Sequence, residues 1–245
     1  MRLAVLADIH GNVLALEAVI ADMAGRAVDR VINLGDCVSG PLWPCETLDL
    51  LRRHDWPTIR GNHDRWVGEA VSEPEGKSDA HAWRALDQAG RAWLGALPAT
   101  LDLGHGVHAF HGRPGSDIEY LIEDIENGRL ARAPLACIAN RVGDIDARVL
   151  LCGHSHQPSI TTLEDGRLIL NPGSVGCPAY DDEDHVSETG SPMSRYAILD
   201  LPEQGPPRVE MLAIPYDHES AAKEAAHNGR PEWAHALMTG VMPTR

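Results

Sequence analysis

Apolar and polar positions along the chain fall into two repeating regimes. RLAVLA, residues 2–7, is a short unbroken apolar run with the pattern of a buried strand. It stops at Asp8-Ile9-His10-Gly11-Asn12, and VLALEAVIADMAG then spaces its apolar residues as an amphipathic helix ending near Gly25. RVINL (30–34) predicts a second strand, stopping at Gly35-Asp36, and a helix follows from Pro44 to residue 53. WPTIR (56–60) predicts a third strand that runs into Gly61-Asn62-His63-Asp64. This βαβαβ rhythm implies parallel strands joined by crossover helices, an α/β chain.

The pattern then changes. Residues 65–100 are polar with helical periodicity and few β-branched side chains, and predict a helical insert. GVHAF (106–110) predicts a strand running into His111-Gly112, and residues 117–139 read as a second helical stretch, part of an insert over about 113–140. RVLLC (148–152) predicts a strand that runs into Gly153-His154-Ser155-His156. SITTLE (159–164), RLILN (167–171), RYAILDL (195–201) and PRVEMLAI (207–214) follow, joined by turn residues rather than helices, so antiparallel pairing is expected late in the chain. A tail of two short helices closes the sequence, the first with Gly229 at its C-cap, the second starting at Pro231 and ending at Gly240. No repeat or low-complexity linker interrupts residues 1–245, which predicts a single domain.

Composition narrows the function. A formal net charge of -15 argues against a polyanion-binding surface and so against a nuclease or other protein that binds nucleic-acid polymers. It leaves open a small phosphorylated substrate held by metal ions, because the ions bring their own charge. The five Cys are scattered without a CxxC pair, which suits a reducing compartment. The N-terminal apolar run is too short and too soon polar for a signal peptide or membrane span, so a cytoplasmic protein away from membranes is expected. No feature sets an oligomeric state.

Several of the predicted strands end abruptly in donor residues: Asp8 with His10, then Asp36, Asn62 with His63, His111, and His154 with His156. The C-terminal ends of parallel strands lie on one edge of a sheet, where α/β proteins bind ligands, so these residues can meet. Two carboxylates, several imidazoles and an amide exceed one tetrahedral zinc and suit two ions sharing a carboxylate. Mixed N and O ligands favour Mn, Fe, Zn, Co or Ni over Mg or Ca. Cys37, directly after Asp36, faces the opposite way on an extended strand and is not expected to be a ligand.

In this order, D-x-H, G-D, G-N-H-D, H-G and G-H-x-H resemble the five blocks of the calcineurin-like metallophosphoesterase superfamily, and cover the chain from residue 3 to about 175. GPLWP after Asp36, HGRP (111–114) and NPGSVG (171–176) are similar to a bacterial branch of small phosphodiesterases and phosphatases that includes asymmetric dinucleoside tetraphosphate hydrolases. The resemblance implies two packed mixed β-sheets flanked by helices, a four-layer α/β/β/α sandwich. It implies that Asp8, His10 and His156 hold one metal, that Asn62, His111 and His154 hold the other, and that Asp36 bridges both. The metals, with Mn or Fe favoured, would supply a bridging hydroxide, while His63 binds no metal and serves as general acid.

Asp64 is expected either to orient His63 or to cap a turn. Asn12 either contacts phosphate or caps the following helix. Arg113 is placed to contact substrate or to pair with a surface carboxylate, and Arg60 and Arg65 are weaker candidates. His105, His108, His185 and His218 carry no motif. The Trp residues of the 66–93 stretch read first as packing, with one of them stacking on a nucleobase as the second reading. The predicted activity is hydrolysis of a small phosphodiester, phosphomonoester or nucleotide, with a dinucleoside tetraphosphate as the specific alternative. A non-catalytic scaffold would have lost ligands or the acid His, and here none is missing.

Overall fold

The computed structural model describes residues 1–182 and 184–244. The first third of the chain forms β1 (Arg2–Leu6), α1 (Val13–Met23), β2 (Arg30–Asn33), α2 (Pro44–His54), α3 (Asn62–Gly68), α4 (Lys77–Ala85) and α5 (Gln88–Gly95). β3 (Thr100–Gly104), β4 (Val107–Phe110), β5 (Glu123–Glu126), β6 (Arg129–Arg132), α6 (Leu135–Val142) and β7 (Val149–Leu151) follow. Then come β8 (Ser159–Thr162), β9 (Leu168–Asn171), β10 (Ala179–Asp181), β11 (Val186–Glu188), β12 (Ser194–Asp200), β13 (Arg208–Ile214), α7 (His218–His227) and α8 (Pro231–Thr239).

β1 organises the first sheet, of order β13-β12-β1-β2, pairing parallel with β2 and antiparallel with β12. The second sheet has the order β3-β4-β7-β9-β8, with β4, β7 and β9 parallel. Period-2 alternation splits each strand between two cores. Leu3 and Val5 of β1 join Ile32 and Leu199 against Val107, Val149, Leu151 and Leu170, which is the seam between the sheets. Ala4 and Leu6 face the other way, onto Leu16, Val19 and Met23 of α1. Leu150 and Phe110 turn outward onto Ile138 and Val142 of α6. The result is the expected α/β/β/α layering. The late strands pair antiparallel as expected, β8 with β9 and β12 with β13.

Two expectations are corrected. WPTIR is no full strand: a single parallel bridge, Asn33 to Thr58, joins it to β2. Pro57 has no N–H to continue a ladder, and only its carbonyl is used, by the Asn33 amide at 3.0 Å. Residues 117–139 are not helical until α6 begins at Leu135; instead β5 and β6 form a hairpin within a third sheet of order β10-β11-β6-β5. The turn is Asn127-Gly128, both at positive φ (53° and 72°), which matches the right-handed twist of a two-residue hairpin. The helical reading of 65–100 agrees with α3, α4 and α5, and the C-terminal pair forms α7 and α8. Of the acidic stretch 181–185, Glu183 lies outside the described residues.

Candidate functional site

The C-terminal ends of β1, β2, β4 and β7 open on one edge, and each delivers a donor within three residues: Asp8, Asp36, His111 and His154. Asp8, His10 and His156 bring ligand atoms within 4.8 Å of one another, and so do Asp36, His111 and His154. Asn62 joins the second group through Oδ1, 3.1 Å from His111 Nε2. Asp36 lies between the groups: its Oδ2 is 3.2 Å from His111 Nε2 and 3.9 Å from His10 Nε2.

Five of these residues sit in the left-handed region that L-residues rarely adopt: Asp8 (φ 56°), His10 (53°), Asp36 (55°), His154 (66°) and His156 (59°). Such conformations cost roughly 1 to 3 kcal/mol each and persist only where surrounding bonds enforce them. Those bonds are present. The Asp8 and His10 amides donate to the carbonyls of Gly35 and Asp36 at 3.0 and 2.9 Å. Ser174 Oγ and the Gly176 amide, from the NPGSVG segment, both donate to the Asp8 carbonyl, at 2.7 and 3.1 Å. Asn171 holds the 153–155 turn by donating to Gly153 O at 2.8 Å.

The imidazole tautomers follow from their partners. Nδ1 of His10, His111 and His156 each lies 2.7 Å from a backbone carbonyl, of Ser39, Leu34 and Cys177. A carbonyl oxygen only accepts, so each Nδ1 carries the proton and each Nε2 is turned inward. His10 Nε2 and His156 Nε2 then face each other at 3.1 Å, two lone pairs in contact. His154 is reversed: Nε2 donates to the Ile118 carbonyl at 3.1 Å, leaving Nδ1 as acceptor.

Burial pushes His10 down to about 4, His154 down to about 3, and His156 well below the usual imidazole range, so all three rings are neutral, the form in which imidazole can bind a metal. Burial raises Asp8 to about 8, and its Oδ2 is buried without a hydrogen-bond partner. Burial opposes a charge on His111, but the Asp36 and Asp8 carboxylates prevail and hold it up at about 10. Converging lone pairs and an orphaned carboxylate oxygen are what divalent cations neutralise, and the proton on His111 is what one displaces. The donor set therefore fits two metal ions.

His63 stands outside both groups, half-buried at the start of α3. Its Nδ1 bonds Asp79 Oδ1 at 2.7 Å, and Ser39 Oγ donates to the same oxygen at 2.5 Å. Burial lowers His63, but Asp36 and then Asp79 outweigh it and raise it to about 9. Asp79 is 5 % exposed and enters from α4. Sequence reasoning missed it, because one Asp in a polar helical insert carries no motif.

Asp64 does not orient His63. Its Oδ2 accepts from the amides of Asp36 (2.8 Å) and Gly61 (3.0 Å), and its Oδ1 from Cys37 (2.9 Å), so it ties the Asp36 turn to the start of α3. Asn12 is also a cap rather than a phosphate contact: Oδ1 accepts from the Ala15 amide, while Nδ2 donates to Gly176 O and Tyr216 Oη. Arg113 lines the cavity above the site and pairs with Glu119, both oxygens at 2.7 Å. Arg60 pairs with Glu69, and Arg65 makes a two-bond pair with Asp117. Cys37 is buried, accepting from Asn33 Nδ2 at 3.2 Å, and belongs to neither donor group. His185, which carried no motif, is buried in the cavity wall against Tyr120 Oη at 2.7 Å.

The calcineurin-like phosphoesterase superfamily domain matches residues 1–201. The chain belongs to that superfamily. As a member it is a metal-dependent phosphoesterase, a hydrolase with metal-binding groups in its His- and Asp-rich edge. The phosphoesterase is similar to an uncharacterized protein of Methanocaldococcus jannaschii, 28% identical with 94% of each chain covered. It is also similar to the crystal structure of a metallophosphoesterase from Sphaerobacter thermophilus, with a TM-score of 0.75, 26% identity and 97% and 98% of the two chains covered. A hypothetical protein from Pyrococcus horikoshii shares the fold at a TM-score of 0.77 and 20% identity over 99% of both chains. Among the described residues no helix is long and apolar enough to cross a membrane.

Proposed function

We propose that the protein is a dinuclear phosphoester hydrolase acting on a small phosphodiester, phosphomonoester or nucleotide. The observation that carries this is the pair of converging donor groups with Asp36 between them and Asp8 Oδ2 unpaired. Asp8, His10 and His156 would hold one ion, Asn62, His111 and His154 the other, with Asp36 shared. Mn, Fe, Zn, Ni and Co all suit this mixed imidazole and carboxylate set. Two such ions supply an activated water and a clamp on the phosphoryl oxygens.

The remaining chemistry belongs to the chain. His63 gives its proton from Nε2 to the leaving-group oxygen as the P–O bond breaks, so that oxygen departs neutral. Asp79 accepts from Nδ1–H and, with Asp36, favours the imidazolium, so the proton available for transfer is the one on Nε2. A neutral Asn62 completes one donor group without adding charge, and leaves its neighbour His63 free for this work. The ~760 Å³ cavity over the site admits a nucleotide-sized substrate rather than a folded polymer. Arg113 lines it together with Lys77, Arg141 and Arg230, and would meet a phosphate oxygen once released from Glu119.

The test is a hydrolysis panel on metal-replete protein. It compares an aryl phosphodiester, an aryl phosphomonoester, cyclic nucleotides and a dinucleoside tetraphosphate, each with a chelator control. Chelator-sensitive turnover is expected. Clear preference for the tetraphosphate would narrow the substrate to that class, and turnover of nothing on the panel would overturn the proposal.

A further inference from the structure

Three Trp residues fall in and beside the helical insert, and their surroundings differ. Trp83 and Trp93 pack against the main core, each with an Arg guanidinium over its ring. Trp66 also carries a guanidinium over its ring, that of Arg65 at 5.7 Å, but it is 40% exposed and lines the cavity instead of joining that core. Its ring stands edge-on to His63, centroids 4.9 Å apart. Ile118, 53% exposed, lines the same cavity, and its carbonyl accepts from His154 Nε2 at 3.1 Å. The two are tied together through their neighbours, because Arg65 donates twice to Asp117 at 2.7 Å. Trp66 and Ile118 thus form an apolar ledge running from the acid His63 to the candidate ligand His154.

We infer that this ledge is the subsite for a planar, uncharged ring carried by the substrate on its leaving-group side. The inference rests on the phosphoesterase reading above and adds the class of group recognised. A large apolar side chain exposed inside a catalytic cavity gains free energy only when something apolar covers it. Position says which part of the substrate does so: a group beside His63 belongs to the fragment that takes the proton. Charge says what kind of group. Arg65, whose guanidinium lies over the Trp66 ring, is neutralised by its two-bond pair with Asp117, so the ledge offers no free charge to a second phosphate and suits a ring face. An indole stacks on any such face, so a nucleobase and a simple aryl group share the chemistry.

The experiment uses metal-replete full-length protein and three phosphates: adenosine 5′-monophosphate, phenyl phosphate and glycerol phosphate. Calorimetric affinity and hydrolysis are measured for wild type, Trp66→Ala, Trp66→Phe and Ile118→Ala, with metal content and circular dichroism confirming that each variant is folded and loaded. Trp66→Ala is expected to weaken a ring-bearing ligand by about tenfold and glycerol phosphate by less than about threefold, with Trp66→Phe keeping most of the affinity. Loss for the adenosine compound alone identifies a nucleobase; loss for phenyl phosphate as well identifies any aryl ring. Equal weakening of all three, or of none, overturns the inference. Binding that discriminates as predicted without hydrolysis of any substrate would keep the ledge and overturn the hydrolase reading instead.

Discussion

Removing the carboxylate of Asp79 tests whether His63 is a held acid or a bystander. Asp79 is 5 % exposed, 2.7 Å from His63 Nδ1, and has Ser39 Oγ on the same oxygen. Hydrogen bonds to charged groups contribute about 1.5 to 3 kcal/mol and neutral ones about 0.5 to 1.5. Asn at this position can still accept from Nδ1 through its amide oxygen, so Asp79→Asn loses only the difference, about 1 to 1.5 kcal/mol, or roughly 5- to 13-fold in rate. Asp79→Ala loses the whole bond, roughly 10- to 150-fold. The assay is kcat on metal-replete protein for an aryl and an alkyl phosphodiester. An alkoxide needs its proton more than a phenolate does, so the alkyl ester should suffer more in both variants. A double-mutant cycle completes it: in a His63→Ala background, Asp79→Ala should change kcat by less than about twofold, because the group it acts through is gone. Losses that multiply, or that are equal for both leaving groups, refute the reasoning.

A Cβ added at Gly61 would overlap the side chain and amide of Asp36, so Gly61→Ala should displace the Asp36 carboxylate and cost about a hundredfold in turnover, with metal content falling in parallel. Asp64→Ala leaves three buried amides without their acceptor, at about 1 to 3 kcal/mol each, and should lower stability by at least about 3 kcal/mol in denaturant unfolding. Glu123, buried in the cavity wall, is raised to about 7 by burial, so the folded state holds its proton more tightly than the unfolded chain. Its contribution is therefore most favourable below about pH 4.5 and is lost as pH rises towards 7, by at most about 3 kcal/mol. Wild type should lose thermal stability relative to Glu123→Gln between about pH 5 and 8, and parallel curves would refute the assignment.

The donor residues were legible because each follows a strand, and strand ends share an edge whatever lies between them in sequence. That logic gathered Asp8, Asp36, His111 and His154 across the chain, and spacing added His10 and His156. It worked even where the local reading was wrong: WPTIR contributes one bridge, yet still delivers Asn62 and His63, because the Asn33 amide and carbonyl pin residues 57–59. The hairpin at Glu123–Arg132 was legible too, in Asn127-Gly128, but its polar flanks resemble a solvated helix face more than a strand. Asp79 was not legible, since its role comes from how α4 folds back over α3. Asp64 and Asn12 each allowed two readings, and the backbone amides settled both, because a buried N–H has to find an acceptor.

Metal titration addresses the central claim most directly. Protein stripped with chelator is given Mn or Fe in measured equivalents per chain, and bound metal and turnover of an aryl phosphodiester are followed together. Two ions per chain should bind, with turnover rising steeply between the first and second equivalent, and Asp36→Asn should weaken both. Turnover that saturates at one equivalent, or that survives complete removal of metal, would contradict the dinuclear account.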